Sequence, residues 1–228
     1  MAEFLAERRE VLEAVGRIAA LGLVAHASGN VSRRIVAGDG MGGREMYAVT
    51  ASRVPYHRFT LDDVLVVDAE VEPVVADGGP SGDGIPSSES LAHMAVYAAR
   101  ADVGAVIHTH SVYASAFAAA GQAIPCILDE QVVVLGGEVV CAEYGASASQ
   151  ALADKAVSAM GNRAAVLLRH HGVIGVGRDL EDAVAVVELV ERVAKVRLLS
   201  LGLGDAPVLP AEVVAVEEKM YRMMKGLG

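Results

Sequence analysis

Residues 87–121 read SSESLAHMAVYAARADVGAVIHTHSVYASAFAAAG, and this stretch decides the fold class. It opens on two serines ahead of an apolar run with helical spacing. Ser88 is placed to cap that helix, with Leu91, Met94 and Ala95 facing inward. DVGAVIHTH (102–110) then reads as a buried strand, and SVYASAFAAAG (111–121) as a small-residue helix.

Outward to the N-terminus, 4–21 reads as a helix with Leu5, Leu12, Val15 and Ile18 on one stripe. Residues 31–52 read as a hairpin turned at AGDGMGG (37–43), followed by a strand at VLVVD (64–68). ADGGPSGDGIP (76–86) reads as a loop. Outward to the C-terminus, QVVVLGGEVVCAEY (131–144) reads as extended with a bend at Gly136–Gly137. SASQALADKAVSAMG (147–161) reads as a helix ending at Gly161, and AAVLLRHHGVIGVG (164–177) as two strands around a break. A long amphipathic helix (179–202) and a last helix (211–225) complete the chain. No GxGxxG follows the first strand, so helices on a mixed, largely antiparallel sheet fit better than a doubly wound fold. With no repeat and no domain-sized linker, the 228 residues are expected to form one domain.

The bulk numbers narrow the function. A formal charge of −10 argues against nucleic acid or an anionic membrane as partner. No apolar run is long enough to span a bilayer. MAEFLAERRE carries acids where a secretory leader carries basic residues, and the two cysteines form no framework, so the expected location is the cytoplasm.

Candidate chemistry sits at strand ends. Side chains at i and i+2 of a strand share a face, so His108 and His110 project together. They are either two legs of a metal site or a hydrogen-bonded strand end. His170 and His171 lie between apolar runs and precede Gly172, so one of them is a candidate third ligand. Ser87, Ser88 and Glu89 read as helix capping, or as an anion site at a helix N-terminus with an acid beside it. Gly29 and Asn30 read as a turn or as a backbone approach to an anion.

ASGNVSRR (27–34), TASRVPY (50–56), IPSSESLAHMAVYAAR (85–100), DVGAVIHTHSVYASA (102–116) and LLRHHGVIGVG (167–177) occur in this order over nearly the whole chain. Together they resemble the class II aldolase/adducin family, in its L-fuculose-phosphate aldolase-like branch. The resemblance implies a three-layer α/β/α single domain with a mixed, largely antiparallel central sheet, in a homotetramer with sites at subunit interfaces. It implies Zn2+, or another divalent cation such as Mn2+ or Co2+, on His108, His110 and His171. It makes Glu89 the acid/base, with Gly29, Asn30, Ser52, Ser87 and Ser88 around a phosphate. The implied substrate is a small anionic molecule, a ketose 1-phosphate cleaved to dihydroxyacetone phosphate and an aldehyde through an enediolate.

Two departures stand out. Ser52-Arg53 replaces the family's frequent threonine–glycine, and Arg53 is read as an added anion contact or as an obstruction of the usual phosphate pocket that marks a different acid as substrate. Asp129 stands about where the aldolases carry a tyrosine proton donor, while Tyr221 lies in the last helix, where the family has another functional tyrosine. Both are candidates for that donor. A decarboxylase of a sugar acid or aromatic acid is the main alternative, with a pentulose-phosphate epimerase or a dehydratase on the same metal site behind it. A non-catalytic adducin-like scaffold is the reading from another class.

Overall fold

The computed structural model describes residues 4–35, 45–76, 79–80, 84–204 and 207–227. The first helix, α1 (Leu5–Ala20), buries Val11, Val15 and Ile18, the stripe its 3.6-residue period supplies. Strands β1 (Asn30–Ile35) and β2 (Met46–Thr50) pair antiparallel as the expected hairpin. The expected turn at 37–43 lies outside the described residues. β3 (Val64–Val67) pairs with β2. In the expected loop, β4 (Val75–Ala76) and β5 (Gly79–Pro80) form a small antiparallel pair, while 77–78 and 81–83 lie outside the described residues.

The central helix–strand–helix forms as α2 (Ser90–Ala99), β6 (Ala105–Thr109) and α3 (Val112–Ala120). After it come α4 (Asp129–Leu135), β7 (Cys141–Ala142), α5 (Gln150–Met160), β8 (Ala165–Leu168), β9 (Gly172–Gly177), α6 (Leu180–Leu201) and α7 (Ala211–Lys225). Seven strands make one sheet in the order β3-β2-β1-β6-β9-β8-β7. Only β7 and β8 are parallel, so the sheet is mixed and largely antiparallel.

Strand alternation divides the core into layers. Val49, Leu65, Val106, Val166 and Ile174 pack with α2 and α5 on one face. Val31, Ala48, Ile107 and Val184 pack with α1 and α6 on the other, and Leu167 and Val173 meet α3, α6 and Tyr221 of α7 there. The result is helices, sheet, helices. Strands buried on both faces explain why AVIHT carries no polar–apolar alternation.

Three local expectations are corrected. The run QVVVL lies in α4, not in an extended segment, and a strand begins only at Cys141. Its valines read as strand formers, yet Val132 and Leu135 are buried at helical spacing and α4 packs on α7. Gln131 is fully buried: its amide accepts from Ile127 N–H and donates to the carbonyls of Ile124 and Gly137. Gly136, at φ 82°, ends the helix in the left-handed conformation glycine permits. Second, Ser88 is not the cap of α2. Glu89 holds the N-cap position, and its N–H donates to Ser87 Oγ at 3.4 Å. Third, Leu91 is 40% exposed, whereas His93 and Tyr97 turn inward beside Met94.

Candidate metal centre and its cleft

The sheet order explains how distant histidines meet. β6 and β9 are neighbours, with Thr109 opposite Val173. His108 near the end of β6, His110 just past it and His171 just before β9 therefore come to one end of the same strand pair. All three ring pairs have centroids 4.7–4.9 Å apart and meet edge-to-face. His170 is exposed at φ 59°, edge-on to Tyr144, and stays out of the group.

Glycine makes the approach possible at two points. A Cβ on Gly172 would lie 2.3 Å from the Thr109 carbonyl and 3.0–3.1 Å from the rings of His110 and His108. A Cβ on Gly29 would lie 2.5 Å from the His108 carbonyl, and Gly29 also has φ 86°.

The N-cap position of Glu89 aims its carboxylate at the rings. Its oxygens lie 2.9 Å from His108 Nε2 and 3.3 Å from His171 Nε2. Ligand atoms of Glu89, His108, His110 and His171 all fall within 4.8 Å of one another. His108 Nδ1–H donates to the Val173 carbonyl at 2.8 Å, so in the neutral ring Nε2 carries the lone pair. That lone pair faces Glu89 Oε2 and, at 2.9 Å, His110 Nε2. Acceptor atoms converging at this range need a proton or a cation among them. The donor set of three imidazoles and one carboxylate fits a divalent transition ion.

Protonation follows from the same crowding. Burial alone raises the Glu89 carboxyl, but its close contact with His108 and the surrounding imidazoles outweigh that and bring it down to about 2. Burial first, then the neighbouring His108 and His171, lowers His110 to about 4. Burial and His108 also push His171 down. Neutral imidazoles are the form that binds metal.

A cleft of about 400 Å³ opens beside the group. Gly29, Asn30, Ser52, Arg53, Ser87 and Ser88 all line it, along with Glu89, His110 and His171. Arg53 is exposed and held at φ 64°, a conformation ordinary residues rarely adopt. Asn30 pairs with His108 across β1 and β6, and its buried Oδ1 has no protein partner. The anionic field of the chain is thus countered locally by one guanidinium and several neutral donors.

Asp129 and Tyr221 are not brought to this cleft. Asp129 is exposed at the start of α4, where it acts electrostatically on Glu217 of α7. Tyr221 is buried against Gly136, and its hydroxyl donates to the Asn162 carbonyl at 2.9 Å. The cleft wall also includes Ala27, Ser28 and Ala51, and His93 lies one helical turn beyond Glu89. The i, i+4 spacing of Glu89 and His93 was the available signal for that placement.

Residues 9–198 match the model of the family described as Class II Aldolase and Adducin N-terminal domain. The L-fuculose phosphate aldolase of Escherichia coli (strain K12) is 32% identical over 215 residues, covering 94% of this chain and 93% of that protein. A 5-methylthioribulose-1-phosphate/5-deoxyribulose-1-phosphate aldolase of Rhodospirillum rubrum is 31% identical, covering 91% and 87%. Among solved structures, an L-fuculose 1-phosphate aldolase superposes with a TM-score of 0.84 at 28% identity, covering 95% and 96%. Fold, relatives and candidate metal group together define an enzyme of the aldolase type. The chain belongs to the class II aldolase and adducin family, in its L-fuculose-phosphate aldolase-like branch.

Proposed function

We propose that this chain is a zinc-dependent aldolase that reversibly cleaves a ketose 1-phosphate, of the L-fuculose 1-phosphate kind, to dihydroxyacetone phosphate and an aldehyde. The observation that carries the reading is the meeting of four ligand atoms within 4.8 Å at the edge of a cleft lined by hydroxyls and one arginine. His108, His110, His171 and, before substrate arrives, Glu89 would hold the cation. Bound there, a divalent ion supplies Lewis acidity to a substrate carbonyl and its adjacent hydroxyl.

The remaining chemistry belongs to side chains. Ser52, Ser87 and Ser88 offer hydroxyls, Gly29 close backbone approach and Asn30 an amide for a phosphate, and Arg53 adds a bidentate cationic fork. When the bond between the third and fourth carbons breaks, its electron pair stays on the third carbon. Glu89 then exchanges a proton with that carbon. The fourth-carbon hydroxyl must lose its proton as the aldehyde forms. Tyr221 is buried in its own chain, so Asp129, exposed on α4, is the better candidate acceptor, acting in the site of a second copy.

That role asks for self-association, here a homotetramer. The exposed Val216, Met220, Met223 and Met224 of α7 support an assembly surface. A single domain over the whole chain and a cytoplasmic location complete the proposal; among the described residues no helix is long and apolar enough to cross a membrane.

Arg53 at the cleft favours one second reading, decarboxylation of a sugar acid or aromatic acid, because its fork suits a carboxylate as well as a phosphate. A screen of ketose 1-phosphates against both acid classes separates the two. Dihydroxyacetone phosphate release supports the aldolase; carbon dioxide release from an acid, without any cleavage of sugar phosphates, replaces it.

A further inference from the structure

His93 lies on α2 four residues beyond Glu89, so the two side chains share one face of the helix. It is fully buried. Its Nδ1 lies 2.7 Å from Ser32 Oγ, and Ser32 Oγ lies 2.9 Å from the Tyr97 hydroxyl. Both contacts leave the donor open, and one assignment lets each hydroxyl donate. In it, Tyr97 donates its O–H to Ser32, Ser32 donates to His93 Nδ1, and the imidazole proton is left on Nε2. Full burial disfavours the charged imidazole, so the ring is neutral.

Its Nε2 is buried and has no protein partner. Native proteins rarely leave such an atom unpaired without a use for it. Glu89 and His108 lie close enough to act electrostatically on the ring. Ser32 sits opposite Val106 and Asn30 opposite His108, which places the ring on the same face of the sheet as His108.

Glu89 as it stands leans on the Nε2 atoms of His108 and His171. Imidazoles that give those lone pairs to a cation have no proton there to offer a carboxylate. Once substrate takes its place at the ion, Glu89 needs another donor. On its own helix face, His93 Nε2–H is the unused one.

We infer that His93 is a positioning residue whose Nε2–H holds the Glu89 carboxylate in the orientation from which it exchanges a proton with substrate, with Ser32 and Tyr97 fixing the required tautomer. This rests on the function proposed above, and two measurements keep the two claims separable.

The first needs no turnover. In the zinc-loaded wild-type protein, long-range proton–nitrogen correlation spectra should show His93 protonated on Nε2 and bare on Nδ1. Added dihydroxyacetone phosphate should move the Nε2–H resonance in wild type and not in Glu89→Ala. A proton on Nδ1 overturns the inference whether or not any sugar phosphate is cleaved. An intact Nε2–H tautomer in a protein that neither binds dihydroxyacetone phosphate nor cleaves ketose 1-phosphates overturns the substrate reading and, with it, the role of His93.

The second is kinetic. His93→Leu should lower kcat by about 10- to 100-fold, the loss expected for one hydrogen bond to a charged group, with KM within about twofold and zinc affinity within about threefold. His93→Gln, which restores a donor at that reach, should recover most of the rate. Equal losses in the two variants, or a loss that tracks zinc affinity or melting temperature, mean that His93 is only a packing residue and refute the inference.

Discussion

Gly172→Ala is the sharpest test of how the fold builds the site. The new methyl would lie 2.3 Å from the Thr109 carbonyl, about 1 Å inside ordinary contact. That carbonyl belongs to β6 backbone, so no side-chain rotation relieves the clash; β6 and β9 must separate. Overpacking of this kind costs about 1–3 kcal/mol. The same methyl would stand 3.0 and 3.1 Å from the His110 and His108 rings, so separation also moves two ligands against the third. A Zn–N bond of about 2.0–2.1 Å tolerates deviations of only about 0.2 Å. Zinc affinity should therefore fall at least about 10- to 100-fold, the loss typical when groups that orient ligands are altered. Chelator competition measures the affinity, and thermal unfolding of the metal-free protein measures the strain, expected to lower Tm by several degrees. An alanine variant with wild-type zinc affinity and wild-type Tm would refute the argument that this glycine sets the distance between the two histidine-bearing strands.

Other substitutions separate the roles of single residues. His110→Ala should lose zinc and activity while remaining folded, checked by metal analysis and circular dichroism, because His110 lies beyond the end of β6 and outside the apolar core. Glu89→Gln should retain stoichiometric zinc yet lose most turnover; wild-type turnover would remove its proton-transfer role. Tyr221→Phe should cost about 1 kcal/mol in urea unfolding, through its lost bond to the Asn162 carbonyl, and leave kcat within about twofold. His93 offers a pH test in the metal-free protein. Its folded value of about 3 lies below the ordinary 6.5, so the unfolded chain takes up a proton that the native state refuses. Stability should fall as pH drops from about 6.5 towards 3, by about 2 kcal/mol at pH 5 relative to neutral pH. Urea titrations should show that extra loss in wild type and not in His93→Gln, and parallel curves would exclude it.

Local pattern made much of this legible. The helical stripe of α1, the hairpin of β1 and β2 and the common face of His108 and His110 all follow from the 3.6- and 2-residue periods. The same logic misread Gln131–Leu135, because valine-rich runs favour a strand until a neighbour such as α7 rewards the helical face. It also assigned the cap of α2 to Ser88, one residue early, and the carboxylate rather than the hydroxyl took the N-cap position.

By itself, then, the chain's order of residues determined the class of fold, the chemical types able to hold a cation, and which neighbours in sequence would point the same way, because each depends on contacts within a few residues. Spacing alone left His170 and His171 open and the family resemblance pointed to His171 and Glu89, while the tertiary structure brings these two to the group and keeps Tyr221 and Asp129 of the same chain away from it. The meeting of His171 with His108 and His110 depends on β9 lying beside β6 with Val173 opposite Thr109. That register joins segments more than sixty residues apart, and no local spacing encodes it.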